Sequence, residues 1–283
     1  MRFLSSLFLL FLTSPCFAQY SARPDSVKPF ILGRIETLHS NELKEDRILN
    51  IYLPEGYDPK DTVKYPVVYL LDGSADEDFI HVTGLYQFNS FSWIGRVKPS
   101  IIVGIANTDR KRDFTFPTNI EKDKKQYPTA GHSDVFIRFL EKELQPYITK
   151  LFRTNNERTI IGESLGGLLA TEILFRKPEL FTKYIIISPS LWWDNGSLLS
   201  AQPKLTETTF SKPLEVYVGV GKEGLTPGEF PRVMEVDANL LADKIRQVKG
   251  GKAKVYFDYL PQEDHATIAH QALYNAIILL GNR

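Results

Sequence analysis

Cysteine is almost absent from this chain, since Cys16 is the single one among 283 residues. It lies in an N-terminal segment in which Arg2 is the only charge and Phe3–Leu12 is almost wholly apolar. A basic start, a short apolar run and a small residue at the end, here Ala18, are typical of a secretory signal peptide. We therefore expect residues 1–18 to be removed near Ala18–Gln19. The mature chain would then have no disulfide, no thiol nucleophile and no cysteine-based metal site.

Long hydrophobic runs are also lacking. The N-terminal apolar run is about half of the roughly 20 residues that a membrane-spanning helix needs, so we expect no stable membrane insertion. The expected location is the periplasm or the outside of the cell. Lipidation of Cys16 is an alternative, although Ser14 and Pro15 precede it where small residues would be expected throughout. Residues 19–29 are polar and are interpreted as a lead-in to a single domain spanning residues 30–283.

Neither sign of charge is in excess. Lysine plus arginine and aspartate plus glutamate both number 34, and the densest basic run is the four-residue segment Lys122–Lys125. A solvated loop explains this run better than a nucleic-acid footprint does, so no nucleic-acid partner is expected. The remaining composition is that of a globular protein large enough to bury a core without a metal ion. We expect no cofactor.

Apolar runs and helical patterns alternate along the chain. The middle runs, such as Tyr65–Leu71 and Tyr184–Ser188, are continuously apolar, which is typical of parallel strands covered on both faces. The first two runs, Glu36–Ser40 and Arg47–Leu53, alternate instead and predict an antiparallel hairpin at one edge. The other predicted strands are Ser100–Ile105, Thr159–Gly162, Leu214–Val220 and Val255–Leu260.

Segments with helical periodicity lie between these predicted strands. Apolar residues recur at three and four spacing after Ser133, which is the expected N-cap, and Pro146 should kink that helix or end its regular part. Further helices are predicted over Leu165–Arg176, Val233–Lys249 and Thr267–Leu280. Strands that alternate with helices predict one α/β domain, with a mostly parallel sheet of about eight strands and helices on both faces. Its active site should lie in loops at the carboxyl ends of the strands.

A G-x-S-x-G motif surrounds Ser164. A short apolar run ends at Gly162, and a predicted helix begins at Leu165, so the serine lies on a strand–turn–helix junction as a nucleophile elbow requires. The alternatives are a tight glycine turn with a buried serine or a phosphate-binding loop. A P-loop is excluded because no lysine follows the glycines. Ser164 is therefore the predicted nucleophile.

A serine nucleophile needs a base, for which histidine is suited near neutral pH. Of five histidines, His265 follows the last predicted strand in a polar loop, 101 residues after Ser164, as the chain order of an α/β-hydrolase requires. His270 should lie inside the last helix, at the surface or in packing. His132 precedes the serine and should flank a helix start.

The third member should be a carboxylate between the serine and the histidine. Glu223 is the first carboxylate after the predicted strand Leu214–Val220, which places it to orient the histidine. Glu229 and Asp237 are rivals, and Asp264 fits a turn or cap better because it adjoins the histidine.

An oxyanion hole should combine two backbone N–H groups. One belongs to Leu165, the residue after the nucleophile, and the other should come from the loop after Tyr65–Leu71. We favour Ser74 for this second donor and Gly73 less strongly.

A set of segments in order carries a resemblance to a known family: Arg47–Gly73, Val103–Ile105, Asp109–Thr115, GESLGG, SPSLWWDN, GVGKEG and EDHAT. Together they resemble the Putative esterase family, which is the esterase D-like branch of the α/β-hydrolases and includes siderophore esterases, feruloyl esterases and mycolyltransferases. The resemblance spans about residues 30–280. It implies the α/β-hydrolase fold, a triad of Ser164, Glu223 and His265, and Ser74 as an oxyanion donor. Periplasmic siderophore esterases are the most similar in pattern.

Four further residues follow strand ends and are candidates for substrate binding. Arg110 and Arg112 could hold an anionic acyl group, or could form a structural network with Asp109 and Asp113. Trp192 and Trp193 could stack on an aromatic or sugar ring, or could pack beneath the loops. The expected function is hydrolysis of a small-molecule carboxylic ester through an acyl-enzyme. Acyl transfer from the same site and a non-catalytic binding protein on this scaffold are the alternatives.

Overall fold

The computed structural model describes residues 26–207, 210–227, 230–248 and 252–281. The predicted signal peptide, residues 1–18, and most of the predicted lead-in lie outside the described residues. Residues 26–31 have no regular secondary structure. The compact unit that begins at Leu32 contains every strand and helix given below.

One sheet organises the described part of the chain. Its eight strands are β1 (Arg34–Ser40), β2 (Glu45–Tyr52), β3 (Tyr65–Leu70), β4 (Ile101–Ile105), β5 (Thr154–Glu163), β6 (Lys183–Ile187), β7 (Leu214–Gly221) and β8 (Ala253–Leu260). Their spatial order is β1-β2-β4-β3-β5-β6-β7-β8. The first strand pairs antiparallel with the second, and the second antiparallel with β4, whereas the remaining pairs are parallel. The predicted edge hairpin and the parallel centre are confirmed.

Helices connect the strands. They are α1 (Phe79–Ser90), α2 (Arg110–Phe114), α3 (Glu121–Gln126), α4 (Ser133–Phe139), α5 (Gln145–Leu151), α6 (Leu165–Arg176), α7 (Trp193–Ser200), α8 (Met234–Arg246) and α9 (Ile268–Leu280). Single helical turns cover Leu140–Leu144, Pro178–Leu180 and Lys204–Thr206. Within the described ranges, no helix is both long enough and apolar enough to cross a bilayer.

Alternating strand residues build two cores, one on each face of the sheet. Val67 and Tyr69 of β3 join the larger core, which also contains side chains of α4, α6 and α8. Val68 and Leu70 point to the opposite face and join the smaller core with side chains of α1 and α9. Because successive strand residues face opposite sides, a strand covered by helices on both faces must be apolar throughout.

The region around Pro146 differs from the predicted single helix. The segment Leu140–Leu144 is a π-helical turn, in which the N–H of Gln145 donates to the carbonyl of Leu140, and α5 then continues with Pro146 in its first turn. Proline has no N–H to donate, so a widened turn just before it lets the helix continue. The prediction that Ser133 is the N-cap was wrong by one residue. His132 holds that position and makes no side-chain cap, while Ser133 is the first helical residue.

Candidate active site

The sharp turn between β5 and α6 carries Ser164. Its backbone has φ 55° and ψ −117°, a conformation that non-glycine residues rarely adopt. Its N–H donates to the carbonyl of Ile187 on the neighbouring strand at 3.0 Å, and its own carbonyl accepts from the N–H of Leu168 at 2.9 Å. Strained backbone of this kind persists only where its surroundings enforce it. The turn therefore holds the serine at the carboxyl edge of the sheet and at the start of a helix.

His265 and Glu223 approach this serine from two other loops. The Nε2 atom of His265 lies 3.1 Å from Oγ of Ser164, and its Nδ1 atom lies 2.6 Å from Oε2 of Glu223. The histidine side chain is 47% exposed and that of the glutamate 4% exposed. The three groups form one hydrogen-bonded series that runs from a buried carboxylate to a hydroxyl at the surface.

The pKa of Glu223 is lowered and that of His265 is raised, as expected when a carboxylate stabilises the protonated form of a neighbouring imidazole. Burial raises the pKa of Glu223, but the hydrogen bonds from His265 and from Ser188 outweigh it and bring the net pKa below the ordinary value. The hydrogen bond to Glu223 raises the pKa of His265, and burial opposes it only in part. The carboxylate therefore stays ionised and favours the imidazolium form of the histidine.

Backbone contacts bring the loops of Glu223 and His265 together. The N–H of Lys222 donates to the carbonyl of Glu263 at 2.7 Å. On the other side, the carboxylate of Glu235 accepts from the N–H of Glu223 at 2.9 Å and from that of Gly224. The acid is thus held through its backbone as well as through its side chain.

In the described part of the chain, the carboxylates considered as alternatives to Glu223 make no hydrogen bond to the side chain of His265, and His270 makes none to Ser164. Asp237 is buried in α8 and accepts two 2.7 Å hydrogen bonds from the guanidinium of Arg232. Asp264 accepts from the N–H groups of two residues that follow His265, so it shapes the turn. His270 lies in α9 and stacks on His81. Glu229 lies outside the described residues.

The backbone N–H groups of Leu165 and Ser74, which are the predicted oxyanion donors, have no hydrogen-bond acceptor among the described residues. The N–H of Leu165 opens α6, where the first amides have no intrahelical partner. Gly73 was the less favoured candidate for the second oxyanion donor. Its N–H is already engaged, because it donates to the carbonyl of Ile105 at 3.0 Å. That bond follows from the close approach of Gly73 and Gly104, where a Cβ on either would collide with the other's backbone.

A family model described as Putative esterase matches residues 40–266 of the chain. The chain belongs to this family. It is a carboxylic ester hydrolase, and the resemblance stated from the sequence motifs is confirmed.

Individual relatives of this esterase support the same assignment. It is 30% identical over 208 residues to the ferri-bacillibactin esterase BesA of Bacillus subtilis, a match that covers 68% of this chain and 72% of BesA. The structure of an IroE-like serine hydrolase from Shewanella oneidensis matches with a TM-score of 0.77 and 34% identity, over 88% of this chain and 80% of that one. The BES protein of Bacillus cereus matches with a TM-score of 0.78 and 27% identity, over 93% and 100%. The predicted α/β-hydrolase fold is confirmed.

Arg110 of the esterase forms a structural ion pair. Its Nε and Nη2 atoms donate to the two carboxylate oxygens of Asp72 at 2.6 and 2.9 Å, and Nη2 also donates to the carbonyl of Glu163 at 3.2 Å. A structural network was foreseen, but with Asp109 and Asp113 as partners. Arg110 instead links the loop after β3, which carries Ser74, to the turn that carries Ser164.

Of the two roles that the sequence left open for Arg112, the structure shows the structural network, with Asp113 as an expected partner and Glu45 as an unexpected one. The Arg112 guanidinium pairs with both carboxylate oxygens of Glu45 at 3.0 and 2.6 Å and donates to Asp113 at 2.8 Å. Arg47, which is fully buried, pairs with the same two carboxylates. Nε, Nη1 and Nη2 of Arg112 each donate to a carboxylate, so this side chain belongs to a network of two arginines and two acids.

Of the two roles that the sequence left open for Trp193, packing is the one that the structure shows, and the prediction that it binds substrate was wrong. Its side chain is 1% exposed, its indole N–H donates to the carbonyl of Phe116 at 2.8 Å, and its ring packs edge-on to Tyr127. Trp192 is half-buried, with its ring centroid 6.3 Å from that of Trp193. A tryptophan that follows a strand end can therefore be part of the core.

Sequence reasoning missed the two serines that flank Pro189. The hydroxyl of Ser190 lies 3.2 Å from that of Ser164, and its N–H donates to the carbonyl of Ser164 at 2.9 Å. The hydroxyl of Ser188 donates to Oε1 of Glu223. The one available signal was their place directly after β6, at the edge of the sheet where active-site loops gather.

Glu163, the second residue of the motif, is also a titratable neighbour of the site. Burial, together with the charges of Asp78 and Asp72, raises its pKa to about 7. Its carboxylate in turn contributes to the raised pKa of His265. The site therefore contains a second group that changes charge near neutral pH.

Proposed function

We propose that this esterase cleaves its substrate with Ser164 as nucleophile, His265 as general base and Glu223 as the orienting acid. The observation that carries the proposal is the hydrogen-bonded series from Glu223 through His265 to Ser164, with separations of 2.6 and 3.1 Å. These lie within the range that a nucleophile, its base and the orienter of that base require.

The reaction would proceed through an acyl-enzyme. Oγ of Ser164 attacks the ester carbonyl carbon while Nε2 of His265 accepts the hydroxyl proton, and the carboxylate of Glu223 stabilises the imidazolium that forms. The N–H groups of Leu165 and Ser74 are the candidates to hold the negative oxygen of the tetrahedral intermediate. That intermediate collapses when His265 gives the proton to the departing alcohol. Water then repeats the sequence at the acyl carbon and releases the acid.

We propose siderophore-type esters as the first substrate class to test. The support is similarity to relatives whose names describe siderophore hydrolysis, among them the ferri-bacillibactin esterase. Feruloyl esters and short nitrophenyl acyl esters complete the panel, because family membership and the site geometry are common to esterases with different acyl groups.

A fluorophosphonate probe tests the nucleophile directly. It should label the mature protein at Ser164, and Ser164→Ala should abolish labelling and lower turnover by roughly 10⁴-fold or more. Ser197→Ala provides a matched control, because Ser197 is an exposed serine of α7 with no part in the series. A folded wild-type protein that is not labelled would refute the proposed nucleophile.

Hydrolysis is preferred to acyl transfer because the side chain of His265 is 47% exposed, so water can reach the base. Product analysis in the presence of a competing alcohol separates the two reactions. Free acid should dominate over the transferred ester at all but high alcohol concentrations.

We further propose that the protein is exported and loses residues 1–18. The support is the charge and hydropathy pattern of Arg2 and Phe3–Leu12. Cell fractionation and N-terminal sequencing test this proposal. A mature chain that begins at Gln19 agrees with it, whereas a lipid-modified Cys16 would replace it with membrane anchoring.

A further inference from the structure

Ser188 lies where the chain leaves β6 and turns toward the active site. It is fully buried, its φ is 41°, and its N–H donates to the carbonyl of Gly219 at 2.8 Å. Positive φ is unfavourable for a serine, whereas glycine adopts it readily. A strained residue that keeps a polar side chain suggests that the side chain itself has a use.

The partner of that side chain is the proposed triad acid. The hydroxyl of Ser188 donates to Oε1 of Glu223, and the N–H of Gly221 donates to the same oxygen at 3.3 Å. The other oxygen, Oε2, faces Nδ1 of His265. The two carboxylate oxygens therefore have different partners. Oε1 is held by Ser188 and Gly221, and Oε2 is hydrogen-bonded to His265.

We propose that Ser188 is a positioning residue, whose hydroxyl fixes the rotation of the Glu223 carboxylate so that Oε2 stays directed at His265. This inference rests on the proposed function, because it assigns Ser188 a role through the triad acid. It also explains why a serine occupies a position with positive φ, where glycine would be less strained.

The chemistry of glutamate makes such a contact necessary. A glutamate side chain has one more rotatable bond than aspartate, so its carboxylate can occupy more orientations around a given backbone position. The backbone contacts of Glu223 with Glu235 fix the loop but leave the end of the side chain free to rotate. Among the described residues, only the hydroxyl of Ser188 and the N–H of Gly221 donate to Oε1 of Glu223.

Two substitutions distinguish the effect of losing the Ser188 hydroxyl from the effect of the backbone strain at this position. Ser188→Ala removes the hydroxyl and keeps the strain, whereas Ser188→Gly removes both. We expect kcat on a nitrophenyl ester to fall about 10- to 100-fold in both variants, with KM changed less than about threefold, because a misdirected base costs catalysis rather than binding. The glycine variant should melt no lower than the alanine variant, because glycine tolerates the positive φ. A loss of activity that is shared by a well-folded glycine variant cannot be ascribed to unfolding.

A double-mutant cycle tests whether Ser188 acts through the acid. In the Glu223→Gln background, Ser188→Ala should lower kcat by less than about twofold further, because the group it positions is already inactive. A full additional 10- to 100-fold loss would overturn the inference, and so would a single variant with wild-type kcat. Ser197→Ala serves again as the unaffected control.

The pH profile gives a readout that a purely structural role would not move. Glu223 is the main cause of the raised pKa of His265, while Glu163 also raises it and Arg110 lowers it. If the carboxylate turns away in Ser188→Ala, the acid limb of kcat/KM should move to lower pH. An unmoved limb would assign Ser188 a structural role only. Failure of the proposed function is distinguishable, because the wild-type protein would then show no fluorophosphonate labelling at Ser164.

Discussion

Replacement of Gly162 by alanine tests whether the turn that carries Ser164 depends on close backbone packing. Gly162 precedes the turn, and a Cβ atom there would point at the carbonyl group of Gly166 in the first turn of α6. The added carbon would fall about 0.7 Å inside the 3.0 Å separation that real Cβ atoms keep from other atoms. Because the obstacle is backbone rather than the tip of a flexible side chain, the strand and the helix must separate.

The size of that movement sets the expected effect. A shift of about 0.7 Å at the start of α6 displaces Ser164 and the N–H of Leu165 relative to His265, which belongs to a different loop. A misplacement of about 1 Å costs on the order of 10²-fold in rate, and overpacking of this kind costs about 1–3 kcal/mol of stability. We therefore expect kcat/KM to fall on the order of 10²-fold and the melting temperature to fall by several degrees.

The assay is hydrolysis of a short nitrophenyl acyl ester by the mature protein, with thermal unfolding followed in parallel. Gly84→Ala is the matched control, because Gly84 is exposed in α1 and a Cβ there meets nothing within 4 Å. It should keep full activity and gain up to about 1 kcal/mol from its higher helix propensity. A Gly162→Ala variant with wild-type activity and stability would refute the packing argument.

Three other substitutions have defined outcomes. Glu163→Gln removes a negative charge that helps His265 to hold its proton, so the acid limb of the kcat/KM profile should move to lower pH. Arg110→Met breaks the link between Asp72 and the turn that carries Ser164, which should cost about 2 kcal/mol of stability and roughly 10- to 100-fold in kcat. Trp193→Phe leaves a buried carbonyl without its donor, so stability should fall by about 1–3 kcal/mol while KM for aromatic esters stays unchanged.

For each of the three substitutions, one outcome would contradict the reasoning. An acid limb that stays in place in Glu163→Gln would mean that this carboxylate does not act on the base. An Arg110→Met variant that loses affinity for anionic esters but keeps its stability and kcat would restore Arg110 to substrate binding. A raised KM for aromatic esters in Trp193→Phe, without loss of stability, would do the same for that tryptophan.

Local patterns were sufficient to predict the central strands and the strand–turn–helix junction that carries Ser164. The bounds of β3 differ from the predicted ones by one residue at one end, those of β6 by one residue at each end, and those of α6 agree at both ends. These elements are encoded by runs of five to twelve residues whose periodicity and flanking glycines act over short distances. Ser133 shows the limit of such signals, because the true N-cap lies one residue earlier and makes no side-chain bond.

Long-range pairing was beyond local patterns. Arg110 was expected to pair with acids of its own segment, yet its partner is Asp72, 38 residues earlier. Ser188 and Glu223 are 35 residues apart and meet because their strands, β6 and β7, are neighbours in the sheet. Which acid an arginine or a hydroxyl meets depends on strand order and loop direction, which no single segment encodes.

The sequence by itself determined the class of fold, the position of Ser164 on a strand–helix junction, and the selection of Glu223 and His265 as the residues that lie with it, because each depends on spacing within or between recognisable segments. Only the tertiary structure decided the orientation of individual side chains. It buried Trp193 but left its neighbour Trp192 half-buried, and it directed Ser188 at Glu223. The physical reason is that burial and hydrogen bonding depend on what packs against a residue from elsewhere in the chain.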